Sequence, residues 1–472
     1  MQSRRDQVQA YFFVVGRLVS AVVHGRPDVL QPPNKRLNTG IFFGIVVGAI
    51  VLGIFGIYGV FVPGGNTSWR QPGTIVMNET TGARYVYLDD QLRPVLNYSS
   101  ARLAAGKAGN GQVVPVAQKS LAGTPVGQPI GIAGAPDALP TTLDGGPWTV
   151  CAQPPGPGAQ EQAPTVTLVF GHPLEETLDD RQGLLARSPD GTTSLIWRGE
   201  RHRIPSRTEA EALGYGGIAP VAVTPAWVNA LPAGPDLTAA VPEQTGSPGP
   251  AIDGHPSVVG QVYQVRNPAI GSTQLYLVRA DGVAALTPTG AALLLASPSI
   301  RAAYPDSPVA PIPAGPGALS GVPVSAGGSD PAGGLPPEPP RIVSPPPDAM
   351  ACASLSSLGA GGQQISTGLL SASVSAAKGI PLGAHAAGAT ADRVVIPAGG
   401  GLLVAGQQTP DSPPGAVYLV TETGTKYPLA NADVAAALGY SAQAAVRMPA
   451  ELLSLLPSGP LLSVEAALRV QS

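Results

Sequence analysis

Residues 41–62 read IFFGIVVGAIVLGIFGIYGVFV, a run of 22 residues that begins at Ile41, ends at Val62 and contains no charged side chain. A helix of this length rises about 33 Å, and the hydrocarbon core of a bilayer is about 30 Å thick. Pro63 and two glycines follow directly and end the run. The run therefore predicts a transmembrane helix over residues 41–62.

Charged residues around this run predict its orientation. The basic residues before it are Arg4, Arg5, Arg17, Arg26, Lys35 and Arg36, whereas the acidic ones are only Asp6 and Asp28. Basic residues accumulate on the cytosolic side of a span, so we expect a cytosolic N-terminus and an exported segment 63–472. A cleaved signal peptide fits poorly, because the apolar run starts late and is too long for an h-region.

The arm before the span predicts an amphipathic helix. Apolar residues recur there at steps of three and four, as on one face of a helix. Prolines and the membrane follow this arm at once, so it has no domain of its own to pack on. We expect the face to bind a partner protein or further copies of the chain, with the lipid surface as the alternative. The residues assigned to this partner-binding face are Val8, Tyr11, Phe12, Val15, Leu18 and Val19.

Composition limits the exported part. Glycine (60) and proline (53) are abundant and charged residues make up 12% of the chain, which favours short strands and turns over long helices. An apolar fraction of 44% is enough to bury cores, and 472 residues predict several sub-domains. The net charge of −3 gives no reason to expect nucleic-acid binding.

Internal repeats are the most informative feature of the exported part. The motif ALGY occurs at 212–215 and 437–440, and LPxGP occurs at 231–235 and 456–460, so both recur at one offset. Each copy predicts a strand that turns at Gly199 or Gly424 into a second strand. A short helix follows that ends at Gly214 or Gly439, and then a second helix. Weaker copies begin near residues 84 and 275.

We therefore expect an α+β fold: one N-terminal transmembrane helix and an elongated exported domain with a β-rich central core and four small αβ repeat modules. A Pro-rich stretch, 307–347, is expected to be an extended surface connector. The predicted segments are a cytosolic helix and linker (1–40), the span (41–62), repeat modules (73–125, 181–240, 257–315 and 401–465) and two core halves (126–180 and 340–400).

The two cysteines, Cys151 and Cys352, lie in the two predicted core halves. In an oxidising compartment they predict a structural disulfide, with two buried free thiols as the alternative. A metal site is disfavoured, because no histidine pair stands at ligand spacing near either cysteine.

Motifs for chemistry are sparse in this sequence. The segment 103–108, LAAGKA, lacks the first glycine and the hydroxyl residue of a phosphate-binding loop. His202 aligns with Tyr427 in the repeat, which favours a structural position. Packing is the expected role of Trp197 and Trp227, with sugar stacking as the alternative. A solvated face explains an acidic cluster at residues 175–180. No catalytic residue, metal or cofactor is predicted.

Several segments together resemble the EccB family, a membrane core component of the type VII (ESX) secretion system. They are RRDQVQAY at 4–11, GIAGAPDALP at 131–140 followed by Trp148 and Cys151, and GIPL at 379–382. The resemblance implies a single-pass inner-membrane protein with a periplasmic domain and a Cys151–Cys352 disulfide. It implies assembly with an EccC-type motor ATPase, EccD and EccE in a sixfold complex, with a mycosin protease nearby.

The function implied is that of a structural membrane subunit that links the motor side to a periplasmic assembly during protein export. Two alternatives stay open. Some family members carry an ATPase label, so an ATP-hydrolysing subunit is the first, although no Walker A motif is visible. The repeats also resemble proposed cell-wall modules, so a peptidoglycan-binding anchor is the second.

Overall fold

The computed structural model describes residues 4–25, 34–61, 67–106, 111–143, 145–153, 163–327, 333–358, 362–382, 390–409 and 412–471. Contacts divide the chain into two units. The first comprises Met1–Arg70, Val76–Ala83 and Val114–Thr124, and the second comprises Gln71–Ile75, Arg84–Val113 and Pro125–Ser472.

The helices of the described residues, in chain order, are α1 (Arg4–His24), α2 (Asn34–Phe61), α3 (Tyr98–Ala105), α4 (Gln118–Leu121), α5 (Arg207–Ala212), α6 (Pro225–Asn229), α7 (Pro288–Ala296), α8 (Ala372–Lys378), α9 (Ala432–Leu438), α10 (Ala450–Ser454) and α11 (Val464–Ala467). Short 3₁₀ turns lie at Pro298–Ala303 and Ala442–Ala444.

The strands, in chain order, are β1 (Ile75–Asn78), β2 (Arg84–Leu88), β3 (Gln91–Pro94), β4 (Val113–Val116), β5 (Thr142–Leu143), β6 (Trp148–Gln153), β7 (Thr165–Phe170), β8 (Glu176–Thr177), β9 (Gln182–Arg187), β10 (Thr193–Trp197), β11 (Glu200–Ile204), β12 (Val221–Ala222), β13 (Val262–Asn267), β14 (Ser272–Arg279), β15 (Gly282–Leu286), β16 (Ile312–Ala314), β17 (Arg341–Ile342), β18 (Ala349–Leu358), β19 (Gly362–Ser371), β20 (Ile380–Pro381), β21 (Arg393–Val395), β22 (Gly400–Gln407), β23 (Val417–Thr421), β24 (Lys426–Pro428) and β25 (Val446–Pro449).

The described part of the apolar run, residues 41–61, lies in α2. Within the α2 helix, the segment Leu37–Tyr58 is long and apolar enough to cross a membrane, judged by length and composition. The helix begins at Asn34, ahead of the expected start at Ile41, because no proline interrupts the segment after Pro33. The expected end, Val62, lies outside the described residues.

Three sheets of the second unit share one strand order. They are β11-β10-β9-β12, β15-β14-β13-β16 and β24-β23-β22-β25, called below the β9, β13 and β22 sheets after their first strands. Counted in chain order, the first three strands of each sheet are antiparallel to one another in turn. The fourth strand lies beside the first and runs parallel to it. A short helix, α5, α7 or α9, leads from the third strand towards the fourth.

Turn glycines of the repeats adopt the conformation that the sequence predicts. Gly199 and Gly424 turn the hairpins at φ 80° and 77°, and Gly214 and Gly439 follow the helices at φ 82° and 97°. These left-handed values strain any residue with a Cβ atom. The sequence pattern missed the strand between the two helices, because β12 has two residues and β25 four, too few to show a period of two.

A seven-stranded sheet, β20-β21-β7-β6-β18-β19-β8, forms the centre of the second unit. Its middle pair, β6 and β18, is antiparallel. Both faces are buried along the inner strands β7 and β6. One face packs with residues of the β9 and β22 sheets, such as Ile196 and Leu402, in the largest apolar cluster. The other face holds a smaller cluster beside α8. The central sheet therefore joins the two sheets into one body.

Candidate functional site: an exposed apolar helix and a disulfide-linked body

The α1 helix exposes most of the face that the sequence assigns to a partner. Val8, Tyr11, Phe12, Leu18 and Val19 are more than half exposed, and Val15 is partly buried. Soluble proteins seldom leave so many large apolar side chains in contact with water on one element. This surface therefore needs a cover of protein or lipid.

The exposed surface of α1 extends beyond the predicted face. Phe13 (65%) and Val14 (54%) are also exposed, and the Arg17 guanidinium lies 5.8 Å from the centre of the Phe13 ring. Reasoning from one helical face missed both apolar residues. The signal was the uninterrupted run YFFVV at 11–15, which places apolar side chains on every side of the helix.

Cys151 and Cys352 form a disulfide, as the sequence predicts. They are directly opposed on β6 and β18 with a Cα–Cα distance of 4.1 Å, and both are fully buried. Val169, Met350 and Val395 pack around the bond. The bond closes a loop with a sequence separation of 201 at the middle of the central sheet. It therefore joins two parts of the central sheet that lie far apart in the sequence.

His202 is structural, as expected. Its ring is fully buried, and Nδ1 lies 3.0 Å from the Pro235 carbonyl oxygen. A Cβ atom at Gly234 would lie within 3.0 Å of this ring, and one at Gly459 would lie within 3.0 Å of the Tyr427 ring. The glycine of each LPxGP motif therefore packs directly against a ring, His202 in one copy and Tyr427 in the other.

Both tryptophans that the sugar-stacking alternative needs are buried. Trp227 is fully buried and its Nε1 donates to the Val150 carbonyl at 3.2 Å. Trp197 is 7% exposed and its Nε1 donates to the Asp180 carbonyl at 2.8 Å. Neither ring presents a face to solvent on which a sugar could stack, so both serve packing.

The acidic cluster lies on the surface, as expected. Glu175, Glu176, Asp179 and Asp180 are all exposed, and Asp180 forms an ion pair with Arg198 at 3.1 Å. Across the described residues, no group of three or more His, Cys, Asp or Glu side chains is arranged to hold a metal ion.

The segment that most resembles a phosphate loop has the wrong helix polarity. Leu103 is fully buried in α3, and the backbone N–H of Gly106 turns back to the carbonyls of Arg102 and Leu103, which ends the helix. Phosphate loops precede a helix, so that the positive N-terminal end faces the anion. In this chain, residues 103–106 form the C-terminal end of α3. Residues 107–110 lie outside the described ranges.

Comparison with known proteins places the chain in a family. A family model described as "Type VII secretion system ESX-1, transport TM domain B" matches residues 1–472. The chain belongs to the EccB family. It is 30% identical to the ESX-3 secretion system ATPase EccB3 of Mycolicibacterium smegmatis, over 97% of this chain and 89% of that relative. It is also 30% identical to the ESX-1 secretion system ATPase EccB1 of Mycobacterium tuberculosis, over 98% and 93% of the two chains.

Two solved structures have the same fold. An EccB3 dimer from the ESX-3 core complex matches with a TM-score of 0.69 and 27% identity, over 84% of this chain and 100% of that chain. A chain of an intact ESX-5 inner membrane complex matches with a TM-score of 0.73 over 100% and 96% of the two chains. At 24% identity, this second match concerns the fold alone. The apolar α2 helix and these matches together support association with a membrane.

Proposed function

We propose that this EccB chain is a structural membrane subunit of a type VII secretion complex that links the motor side to a periplasmic assembly during protein export. One observation carries the proposal. A helix that cannot cover its own apolar surface precedes a span-length helix, and a large disulfide-linked body follows. Such a chain suits a role in tying components on two sides of a membrane together.

The orientation that fits this role puts α1 in the cytosol and the body outside. The basic residues before α2 favour it by the positive-inside rule. The disulfide favours it independently, because disulfides persist in oxidising compartments and are rare in the cytosol. The body would then lie on the periplasmic side of the inner membrane.

The partners that fit α1 are those that the family resemblance implies: an EccC-type motor ATPase, EccD, EccE, and further EccB copies in a sixfold complex. Tyr11, Phe12 and Phe13 give the helix a large aromatic surface, and buried aromatic side chains commonly dominate helix-docking interfaces. A mycosin protease is a further candidate neighbour on the periplasmic side.

The body itself is proposed to consist of four repeat modules (73–125, 181–240, 257–315 and 401–465) around two core halves (126–180 and 340–400). The common strand order of the β9, β13 and β22 sheets supports this division for the last three modules. Matching ring-on-glycine contacts at Gly234 and Gly459 support it for the second and fourth.

Substituting one exposed aromatic residue of α1 tests the proposal. Phe12→Asp removes an apolar ring that is 68% exposed, and Gln9→Asp is the control, because it adds the same charge at a polar position of α1. Each tagged variant is expressed with the other secretion components and purified in mild detergent. We expect both variants in the membrane, with only Phe12→Asp missing from the large complex. Normal assembly of Phe12→Asp would contradict a partner-binding role for this surface.

ATP hydrolysis is the second candidate, because both named relatives carry the word ATPase in their names. Full-length protein, purified from cells that lack the EccC-type motor, would be assayed for phosphate release from ATP. Turnover that follows the EccB peak through two chromatographic steps would favour the enzymatic role. A rate equal to that of a mock purification would favour the structural one.

A further inference from the structure

Two short strands of the body cross between its halves. β5 leads into the first half of the central core, yet it pairs in parallel with β22, which belongs to the second half of the chain. β17 leads into the second half of the core and pairs in parallel with β9 in the first half. We call residues 139–143 and 339–343 the first and second linkers. Each half thus contributes a strand to a sheet of the other.

The two crossings have the same pattern of hydrogen bonds. Each linker contains a buried proline, and the residue that follows it donates its backbone N–H to a carbonyl oxygen in the other half of the chain. In the first linker Thr141 donates to the Gly399 carbonyl at 3.0 Å, and in the second Arg341 donates to the Arg181 carbonyl at 2.8 Å. The same geometry therefore occurs twice, once in each linker.

The tyrosine of each ALGY motif binds the proline of the linker. The Tyr440 hydroxyl donates to the Pro140 carbonyl at 2.8 Å, and the Tyr215 hydroxyl donates to the Pro340 carbonyl at 3.1 Å. A buried carbonyl without a donor opposes burial, so each hydroxyl satisfies a group that would otherwise keep the linker in solvent.

The proline rings fit glycines on the receiving strands. A Cβ atom at Gly401 would lie within 3.0 Å of Pro140 Cγ, and one at Gly183 would lie 3.6 Å from Pro340 Cβ. The Tyr440 hydroxyl is a protonated donor at neutral pH, and burial raises its pKa further, to about 12. Burial also raises the pKa of Tyr215.

We propose that Tyr215 and Tyr440 are latch residues, each of which fastens the linker of one half onto the sheet of the other. The disulfide and the latches are separate connections. Cys151 and Cys352 pack in the cluster beside α8, whereas the linkers hydrogen-bond to the sheets on the opposite face of the central sheet. The latches therefore hold the halves together whether or not the disulfide is formed.

The two latches differ in access to water. Tyr440, Pro140 and Thr141 line a cavity of about 540 Å³ together with Tyr98 and Arg102. Tyr215 is only 4% exposed. The Tyr440 latch is therefore the more accessible of the two to water.

Hydrogen exchange of the full-length protein in detergent, read by mass spectrometry, tests the latches. The variants are Tyr440→Phe and Tyr215→Phe. Tyr276→Phe is the control, since it also removes a bonded hydroxyl, one that donates to Gln274 on its own strand at 2.6 Å. Loss of one hydrogen bond predicts roughly fivefold to tenfold faster exchange. We expect this change at amides 141–143 for Tyr440→Phe, at 341–343 for Tyr215→Phe, and at neither linker for the control.

Reduction of the wild-type disulfide supplies a test without any substitution. The proposal expects both linkers to stay protected in the reduced protein, with faster exchange confined to β6 and β18 around the cysteines. Rapid exchange at both linkers after reduction alone would overturn it. So would unchanged protection of residues 141–143 in a folded Tyr440→Phe variant.

Discussion

Gly459 provides a sharp test of the repeat packing. This glycine has no left-handed φ, so alanine is compatible with its backbone, and any cost of Gly459→Ala comes from packing. The new Cβ would lie within 3.0 Å of two Tyr427 ring atoms. Because the ring is 7% exposed, it cannot swing into solvent, and either the backbone or the ring must shift within the core.

Overpacking of this kind costs about 1–3 kcal/mol, which corresponds to a Tm lower by roughly 2–6 °C for a large domain. Gly234→Ala is expected to behave in the same way, because its Cβ would meet the His202 ring. Gly217→Ala is the matched control, since nothing lies within 4 Å of its added Cβ and its φ is not left-handed. Thermal unfolding of the three purified variants, followed by intrinsic fluorescence, measures the difference.

Removal of the ring checks the cause. If the clash sets the cost, Gly459→Ala should be much less harmful in a Tyr427→Ala background than in the wild type, which is a positive coupling in a double-mutant cycle. A Gly459→Ala variant with the Tm of Gly217→Ala would refute the packing argument. Additive effects of the two substitutions would refute it as well.

Three further predictions concern the core and the first linker. The double variant Cys151→Ala/Cys352→Ala should lower the free energy of unfolding by at most about 5 kcal/mol, because the bond closes a loop with a sequence separation of 201. Urea denaturation measures the change, and an unchanged urea midpoint would argue against the bond. Trp227→Phe removes the indole N–H that donates to the Val150 carbonyl and should cost about 0.5–1.5 kcal/mol in thermal unfolding, with wild-type stability as the contrary result. Burial raises the Tyr440 pKa from 10.0 to about 12, so the stabilisation by its neutral hydroxyl is complete below pH 10 and is lost towards pH 12. The difference in free energy of unfolding between wild type and Tyr440→Phe should therefore shrink from pH 10 to pH 12. A constant difference over that range would contradict the prediction.

Features with a strong local signal could be predicted from the sequence. The span stands out because 22 uncharged residues have few other uses, and the cysteines could be paired because there are only two of them. The repeat glycines were assigned correctly, since a left-handed turn restricts the residue type at Gly199 and Gly439. In each case one physical requirement leaves little choice of residue.

The crossing linkers could not be predicted, because strands of two residues show no periodicity. The Pro-rich stretch that ends at 347 was expected on the surface, and this was wrong in part: Leu335, Pro336 and Pro340 are buried, and β17 belongs to the β9 sheet. Proline has no N–H to leave unpaired, so a short proline segment can be buried at low cost once its carbonyls find donors. The donor, Tyr215, lies far away in the chain.

In the proposed orientation, the crossed strands constrain the order in which the body can fold as it emerges from the membrane. The first linker leaves early, but its acceptor Gly399 follows 258 residues later. Until then β5 has no sheet to join, and Cys151 has no partner until Cys352 arrives. A body exported from its N-terminus therefore stays incomplete through most of translocation, and it closes only when its last module is outside.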